Sequence, residues 1–593
     1  MVCNRTMSGE STNFPADAID IDRLGAGINW VTARKQKAYQ SKPSSPPRER
    51  HKLSMKTILR FLSVAAACTL ICWLGEANPA DAQVIVTTYH NDNGRTGQNI
   101  QETILTSKNV KSTTFKKLFA GSVTLDSWAP AQPLYVPNVT IAGTAHNVVY
   151  VATLNNSVYA FDADNGTELW MKNYGPPTSF VPLCHDSSYN TSPSLGAGII
   201  GTPVIDPVAG IIYFVAKTGT GATGSPYALA LHAVDYTSGN DESGSPVTIN
   251  PTSGPTFYPR FQENRPALLL NNGFVYVALG STGCTGLKNF PTINNHGYVF
   301  GFNTSNLSAP PSMFITTPAV NHGGIWQAGG GLVADSNGHI YFETADADFD
   351  LNIGGMDFGD SILELDSNLN YVDSFTPYNA NSLLWPDDLD AGSTGPVLLP
   401  DQTVGPTHLI VGTGKTEELW LLNRDNMGGW CSTCSTTNTN IVQDVERPSY
   451  LSGCLQPPTG LLTCRYGALT YWNNTVYVPG TNAPLMAYPL TNGVLATTPL
   501  RSVQGYGNVN SPSISAHGAT NGIVWTITVG PPPVNSGVLR AFDAVTLRLL
   551  YASSQAPSGR DTMGSVAHFL TPTVANGKVY VATHTQLVVY GTF

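Results

Sequence analysis

A chain of 593 residues is longer than one ordinary domain, yet repeat architectures reach that size as a single unit. Charged residues make up only 12%, beside 57 glycines and 42 prolines, which speaks for a turn-rich β protein and against a helical one. The formal net charge of -10 argues against a nucleic-acid-binding surface, which needs clustered Lys and Arg.

In chain order, residues 1–54 are basic, rich in Ser and Pro and without hydrophobic period; they read as a disordered extension or as sequence upstream of a true start at Met55. Residues 55–82 read as an export signal. Met55-Lys56 and Arg60 are its basic start, Ile58 to Leu74 its apolar run, and Ala80-Asp81-Ala82 its cleavage pattern. The run is short for a membrane anchor, so the mature chain is expected to be secreted or periplasmic, without a transmembrane domain. Six cysteines follow the leader: Cys184, Cys284, Cys431, Cys434, Cys454 and Cys464. Cys431-x-x-Cys434 superficially resembles a zinc ribbon, but an even count in an exported chain favours disulfides, whose pairing stays open.

A lead-in segment, 83–112, precedes the main body, 113–593. The body opens with FKKLFAGSV, Phe115 to Val123, which has strand character. Next comes VYVATLNNSVYAFDADNGTELW, in which Val149–Ala152 alternates as a strand, Asn155-Asn156 turns, and Ser157–Phe161 is a second strand. The apolar-aromatic-apolar core then returns around Tyr213, Tyr276, Tyr341, Tyr477, Trp525 and Tyr580, and in weakened form around Ile410, at a pitch of 48 to 69 residues. A short strand, often introduced by proline as at Pro203, Pro266 and Pro396, precedes each core, and an Asp- or Asn-bearing turn follows it. Four antiparallel strands repeated radially make an all-β, eight-bladed β-propeller. The eighth unit lacks one strand, so Phe115–Val123 is expected to complete that blade as its outer strand and remove the exposed edges.

The unit Ala160-x-Asp162-x-x-x-Gly166-x-x-x-Trp170 resembles the tryptophan-docking repeat of the PQQ-like, quinoprotein alcohol dehydrogenase-like propeller superfamily. Asp162 would cap the turn, Gly166 take a backbone shape other residues resist, and the Trp170 indole wedge against the next blade. The segment HNDNGRTGQN, His90 to Asn99, is also similar to the leading segment of these proteins, and the mature chain looks most like secreted bacterial members of undefined activity.

That resemblance implies pyrroloquinoline quinone (PQQ) and calcium as cofactors, with an aspartate taking the alcohol proton. The counterpart of the base region is WPDDLDAGSTGPVLLP, with Asp387 and Asp390 as candidate bases; Thr344-Ala345-Asp346 is the counterpart of the family's T-G-N calcium segment, with an Asp in place of Asn that can still hold a cation, making Asp346 and Asp390 candidate metal ligands. Departures weigh against catalysis. No two cysteines are adjacent, the loop Ala216 to Ala228 lacks an acidic residue where a calcium ligand should lie, and Gly286 to Phe302 supplies no tryptophan floor.

Residues flanking the starts of innermost strands should line the channel mouth: Asn264, Arg265, His322, Trp326, Gln327, Asp388, Arg465, Asn510 and His568. Such a funnel suits a polar or anionic ligand, or the groups satisfy one another and channel water. Asp346, Asp348, Asp350 and Asp357 read as a solvated blade loop rather than a calcium loop, lacking the glycine and final Glu of an EF-hand. Gly414-Lys415-Thr416 fails as a phosphate loop because the motif's first glycine would fall on Leu409. Phe358-Gly359-Asp360-Ser361 enters a strand and lacks a histidine partner, which argues against an esterase nucleophile. The reading is an exported, monomeric binding scaffold for a protein, an envelope glycan or a small polar ligand. The alternatives are a divergent PQQ- and calcium-dependent dehydrogenase for an alcohol or sugar, and a propeller-based lyase or hydrolase.

Overall fold

A computed structural model describes residues 83–179, 196–281, 295–381, 390–416, 418–446, 467–480, 483–503, 508–530 and 536–593. Eight sheets, numbered here in chain order as blades 1 to 8, carry almost all of its regular structure. In blade 1 the strands Leu134–Ile141, Thr144–Ala152, Ser157–Asp162 and Glu168–Asn173 pair in sequence order, each antiparallel to the last. First strands of blades 2 to 5 contact one another in succession, as do those of blades 6 to 8, and that of blade 1 contacts that of blade 8, so they form the inner ring. The described residues include no α-helix and no helix long and apolar enough to cross a membrane.

Phe115–Ala120 is the outer strand of blade 8, antiparallel to Leu587–Thr592, with Phe115 opposite Thr592 and Ala120 opposite Val588. It stops three residues short of the sequence expectation, at Ala120. The first strand of the body is thus zipped to the last, and closure covers the edge that Leu587–Thr592 would otherwise expose.

The two sequence signals that define the repeat lock onto each other across blade boundaries. The Tyr150 hydroxyl donates to the Tyr236 carbonyl of blade 2, that of Tyr276 to Ser367 of blade 4, that of Tyr477 to Ala544 of blade 7, and that of Tyr580 to Ala163 of blade 1. In every case the acceptor is the residue just after the Asp that ends, or in blade 4 directly follows, the next blade's third strand. Tyrosine suits this place because its ring fills the buried seam while its hydroxyl reaches a carbonyl that water cannot. Asp162 accepts from the backbone N–H groups of Asp164 and Asn165, Gly166 sits at φ +79°, and the Trp170 indole N–H donates to the Tyr236 carbonyl at 3.1 Å. A Cβ on Gly239 would lie 2.7 Å from the Trp170 ring, so blade 2 accepts the indole only because glycine stands there. Tyr477→Phe leaves the ring and removes the hydroxyl; the expected loss of unfolding free energy is about 1–2 kcal/mol, read by chemical denaturation.

The lead-in segment is part of the ring. It runs round the inside of the channel and meets the blades in numerical order. Val86 and Tyr135 of blade 1 exchange two backbone hydrogen bonds of 2.8 Å, and Ile205 N–H of blade 2 donates to Thr87 O. Side chains bridge to blade 3, where Asn93 Nδ2 donates to Leu270 O and Arg95 Nη2 to Leu268 O. Backbone N–H groups of Ala334, Leu398, Tyr471 and Ile514, from blades 4 to 7, then donate to Asn93, Gly94, Thr96 and Gly97. Blade 8 is reached by Asn99 Nδ2 on Val574 O and by Glu102, which accepts from Gly577 N–H.

Tyr89 stacks on His90 with ring centroids 4.2 Å apart and packs with Ala267 of blade 3 and Ala468 of blade 6. Those blades lie on well-separated parts of the ring, so the Tyr89 ring sits near the axis and fills the channel. Burial drives the His90 imidazole down to about 3, so it is neutral at physiological pH.

Candidate functional site

The end of the ring where innermost strands begin holds a polar constellation on blades 4 and 5. The second strand of blade 4, Ile340–Glu343, delivers Thr344, Ala345 and Asp346 to this end, and the second strand of blade 5, Leu409–Thr413, delivers Lys415. The short turn Ala391–Ser393, just before the inner strand of blade 5, brings Asp390 between them. Asp390 Oδ2 lies 2.5 Å from Lys415 Nζ, and its other oxygen accepts from Asp346 N–H at 3.2 Å. Asp360, at φ +47° and fully buried, accepts from Ala391 N–H at 2.9 Å. One carboxylate oxygen from each of Asp346, Asp360 and Asp390 falls within 4.8 Å of the others.

Electrostatics divide the acids into different roles. Burial, reinforced by the charges of Asp390 and Asp360, raises the Asp346 carboxyl far above the usual range, so it holds its proton at neutral pH. Burial also pushes Asp390 up, but the Lys415 ammonium more than offsets this, and Asp390 ends below its ordinary value, ionised. Deeper in the same wall, Glu343 accepts from Gly395 N–H while its own N–H donates to Gln327 Oε1. Burial holds Glu343 well above the carboxylate range.

Aromatic and cationic groups from three blades meet at the same end. The Arg265 guanidinium of blade 3 lies 3.9 Å from the centroid of Phe569 in blade 8 and 5.8 Å from that of Trp326 in blade 4. A Cβ on Gly280 would meet the Trp326 ring at 2.8 Å, which places the indole flat against blade 3. Burial, then Arg265, depress the His568 imidazole, leaving it uncharged at neutral pH. The Asn510 side chain braces blade 7 to blade 8, donating to Ala567 O and accepting from Phe569 N–H. Asn264 Nδ2 donates to Ala278 O and Pro266 O.

Of the residues singled out in the sequence, Asp346 and Asp390 come together, as do Arg265, Trp326 and His568. Asn510 and Gln327 spend hydrogen-bonding capacity on the protein itself. Asp387, Asp388 and Arg465 lie outside the described residues. The acidic run of blade 4 does not converge on a cation: Asp350 accepts from Asp357 N–H, Asp357 from Ala319 N–H, and Asp348 is exposed. Only Asp346 of that run joins the constellation.

Asp360 and Lys415 were missed as site members, because each sat in a motif that failed on its own terms. The loop without an acid also finds one from elsewhere. Lys217 of blade 2 pairs with Glu263 of blade 3 at 2.5 Å, both side chains 2% exposed. Cys431 and Cys434 form a disulfide, while Cys184, Cys284, Cys454 and Cys464 lie outside the described residues.

The resemblance read in the sequence implies a quinone and a calcium ion, and the donor set can be tested for each. Three carboxylates with an oxygen apiece inside 4.8 Å of one another suit a hard cation, and the buried Asp346 Oδ1 has no hydrogen-bond partner. The residues therefore fit a divalent cation, with Lys415 already occupying one Asp390 oxygen. For a quinone the described residues offer the Trp326 face and the Arg265 charge, but no pair of adjacent cysteines.

No protein-family model and no curated protein matches the sequence. Solved structures do match in fold. The quinohemoprotein alcohol dehydrogenase from Comamonas testosteroni aligns over 87% of this chain and 81% of its own, at 14% identity and a TM-score of 0.53. Quinohemoprotein alcohol dehydrogenase ADHIIG from Pseudomonas putida HK5 aligns over 86% and 81%, at 14% identity and 0.54. A europium-containing methanol dehydrogenase aligns over 86% of this chain and 99% of its own, at 13% identity and 0.54.

Proposed function

Starting from the eight-bladed, quinoprotein-type propeller fold, we propose that this chain is an exported binding protein that holds a small polar ligand at its channel mouth, anchored by a hard divalent cation such as calcium. The observation that carries this reading is the convergence of Asp346, Asp360 and Asp390, with an orphaned Asp346 oxygen among them. The plugged channel supports it too, since a ligand at the mouth meets a floor rather than a through-passage. Arg265 and Trp326 supply charge and an aromatic face for the ligand's polar and flat parts. Protein or envelope-glycan partners of the blade-top loops are compatible with the same scaffold role.

A second reading, a PQQ- and calcium-dependent dehydrogenase for an alcohol or sugar, is favoured by one further feature: Asp390 is kept ionised by Lys415 beside the cation-binding oxygens. Solved neighbours of this fold are named as quinohemoprotein and europium-containing dehydrogenases. A bound quinone would supply the hydride acceptor. Asp390, or Asp387 three residues earlier, would take the alcohol proton, and Lys415 would hold that carboxylate in its basic form.

One experiment separates the readings. Chelator-treated protein is titrated with calcium, with terbium luminescence as a second probe, and then assayed with PQQ, an electron-accepting dye, alcohols and sugars. Saturable cation binding, lost in Asp346→Asn and without turnover, is the expected result for the binding protein. Turnover that falls about 100-fold or more in Asp390→Asn establishes the dehydrogenase instead. Absence of cation binding sinks both.

The pH dependence follows from Asp346. A cation must displace its proton, so affinity should keep rising as pH climbs through and above neutrality, where ordinary carboxylate sites are already flat. Titrations at several pH values check this.

A further inference from the structure

A second site lies at the other end of the ring. A cavity of about 590 Å³ opens between blades 4 and 5, lined in part by Asp335 and His339. These residues lie in the hairpin that follows the inner strand Val333–Ala334, whereas the mouth residues Trp326 and Gln327 precede that strand.

Its inner wall is a built hydrogen-bond network. Arg424 Nη1 donates to Asp335 Oδ2 at 3.1 Å, and its guanidinium lies 5.8 Å from the Tyr341 ring centroid. The Tyr341 hydroxyl is 3.1 Å from Glu364 Oε1, which also meets His339 Nδ1 at 2.5 Å. On the opposite wall His408 Nδ1 meets Asp425 Oδ1 at 2.8 Å. Each imidazole is oriented by a carboxylate through Nδ1, which leaves its Nε2 edge for another partner.

Three observations point to a ligand and to its chemistry. The cavity gathers five carboxylates, Asp335, Glu364, Asp373, Asp401 and Asp425, against the one guanidinium, which repels anions and attracts cations. Asp401 and Asp425 keep 71% and 59% of their side-chain surface exposed at the rim, where they can still accept from a ligand. Leu398, Leu399 and Val372 add an apolar strip.

We propose that this pocket binds a small amino sugar. Hydroxyl groups both accept and donate, which suits the rim carboxylates and the histidine edges together. A protonated amine answers the excess of carboxylates, and ring C–H groups suit the apolar strip.

Isothermal titration calorimetry on the purified protein at neutral pH tests this with D-glucosamine, D-glucose and putrescine. Saturable one-site binding is expected for glucosamine, about tenfold tighter than for glucose or putrescine, and about tenfold weaker in the rim double variant Asp401→Asn/Asp425→Asn. Both rim substitutions are at exposed positions, and an unchanged melting temperature will show that the variant is folded. No saturable heat with glucosamine overturns the proposal. So does binding undiminished in the double variant, or putrescine or glucose binding as tightly as glucosamine.

Discussion

Replacing Arg95 with leucine is expected to cost about 4 kcal/mol or more of unfolding free energy. Arg95 is 2% exposed and belongs to no blade, yet it ties several together. Nε donates to Leu332 O of blade 4 at 3.0 Å, Nη2 to Leu268 O of blade 3 at 3.0 Å, and Nη1 to Tyr89 O at 2.9 Å and to Thr88 Oγ1.

Burial lowers its guanidinium only to about 10, so the group stays charged at neutral pH and its hydrogen bonds are charge-assisted. Leucine would leave these carbonyls without donors in a filled channel, and each buried acceptor then loses its only compensation for leaving water. Arg95→Lys keeps the charge but not the planar fork, and should recover less than half of the loss. Denaturant titrations of the three proteins decide the matter; a loss below about 1 kcal/mol for Arg95→Leu would mean that the plug is ornamental.

The second large effect is expected at the closure. Phe115 is fully buried and meets Trp525, Tyr551 and Tyr590 with ring centroids 5.4, 4.9 and 6.4 Å away. Phe115→Ala should cost about 3–5 kcal/mol, as a large ring leaves a cavity that close-packed strands cannot collapse. It should also promote aggregation, because loosening this strand exposes the edge of Leu587–Thr592. Light scattering alongside denaturation reads both.

Asp561 latches the same seam. It accepts from Lys117 N–H at 3.1 Å and from the Tyr551 hydroxyl at 2.7 Å, and it pairs with Arg560 at 2.7 Å. Burial raises its carboxyl, but Arg560 and Tyr551 outweigh this and hold it below the ordinary range. A depressed acid contributes stability that is fully present above its unfolded value, about 3.9, and is lost as pH falls through the lower folded value. Asp561→Asn should therefore lower the melting temperature at neutral pH and flatten its decline in acid. An acid profile as steep as that of the unaltered protein would remove Asp561 from the latch.

The repeat was legible because strand period, turn chemistry and the central tyrosine recur locally, within a few residues of one another. The sequence rule even held the reason for closure: a final unit one strand short, and a strand-like Phe115–Val123 at the front, of which Phe115–Ala120 forms the strand. The site was half legible. Asp346 and Asp390 stood in segments similar to a known family's, and Arg265, Trp326 and His568 preceded inner strands. Asp360 and Lys415 gave no such sign, since their partners lie 30 or 25 residues away on a neighbouring turn. The loop Ala216 to Ala228 misled for the same reason: Lys217 meets an acid from another blade, and local composition cannot report that.

What the sequence determined by itself was the number of modules, the strand order within each, and the pairing of the first strand with the last, because those follow from short-range periodicity and one missing element. What only the tertiary structure decided was that residues 83–102 wind inside the channel past every blade, that Lys415 faces Asp390, and that a carboxylate-rich cavity lies between blades 4 and 5. Each depends on how separate blades are angled about one axis. That angle is set by side-chain packing across seams, which no local window of the chain contains.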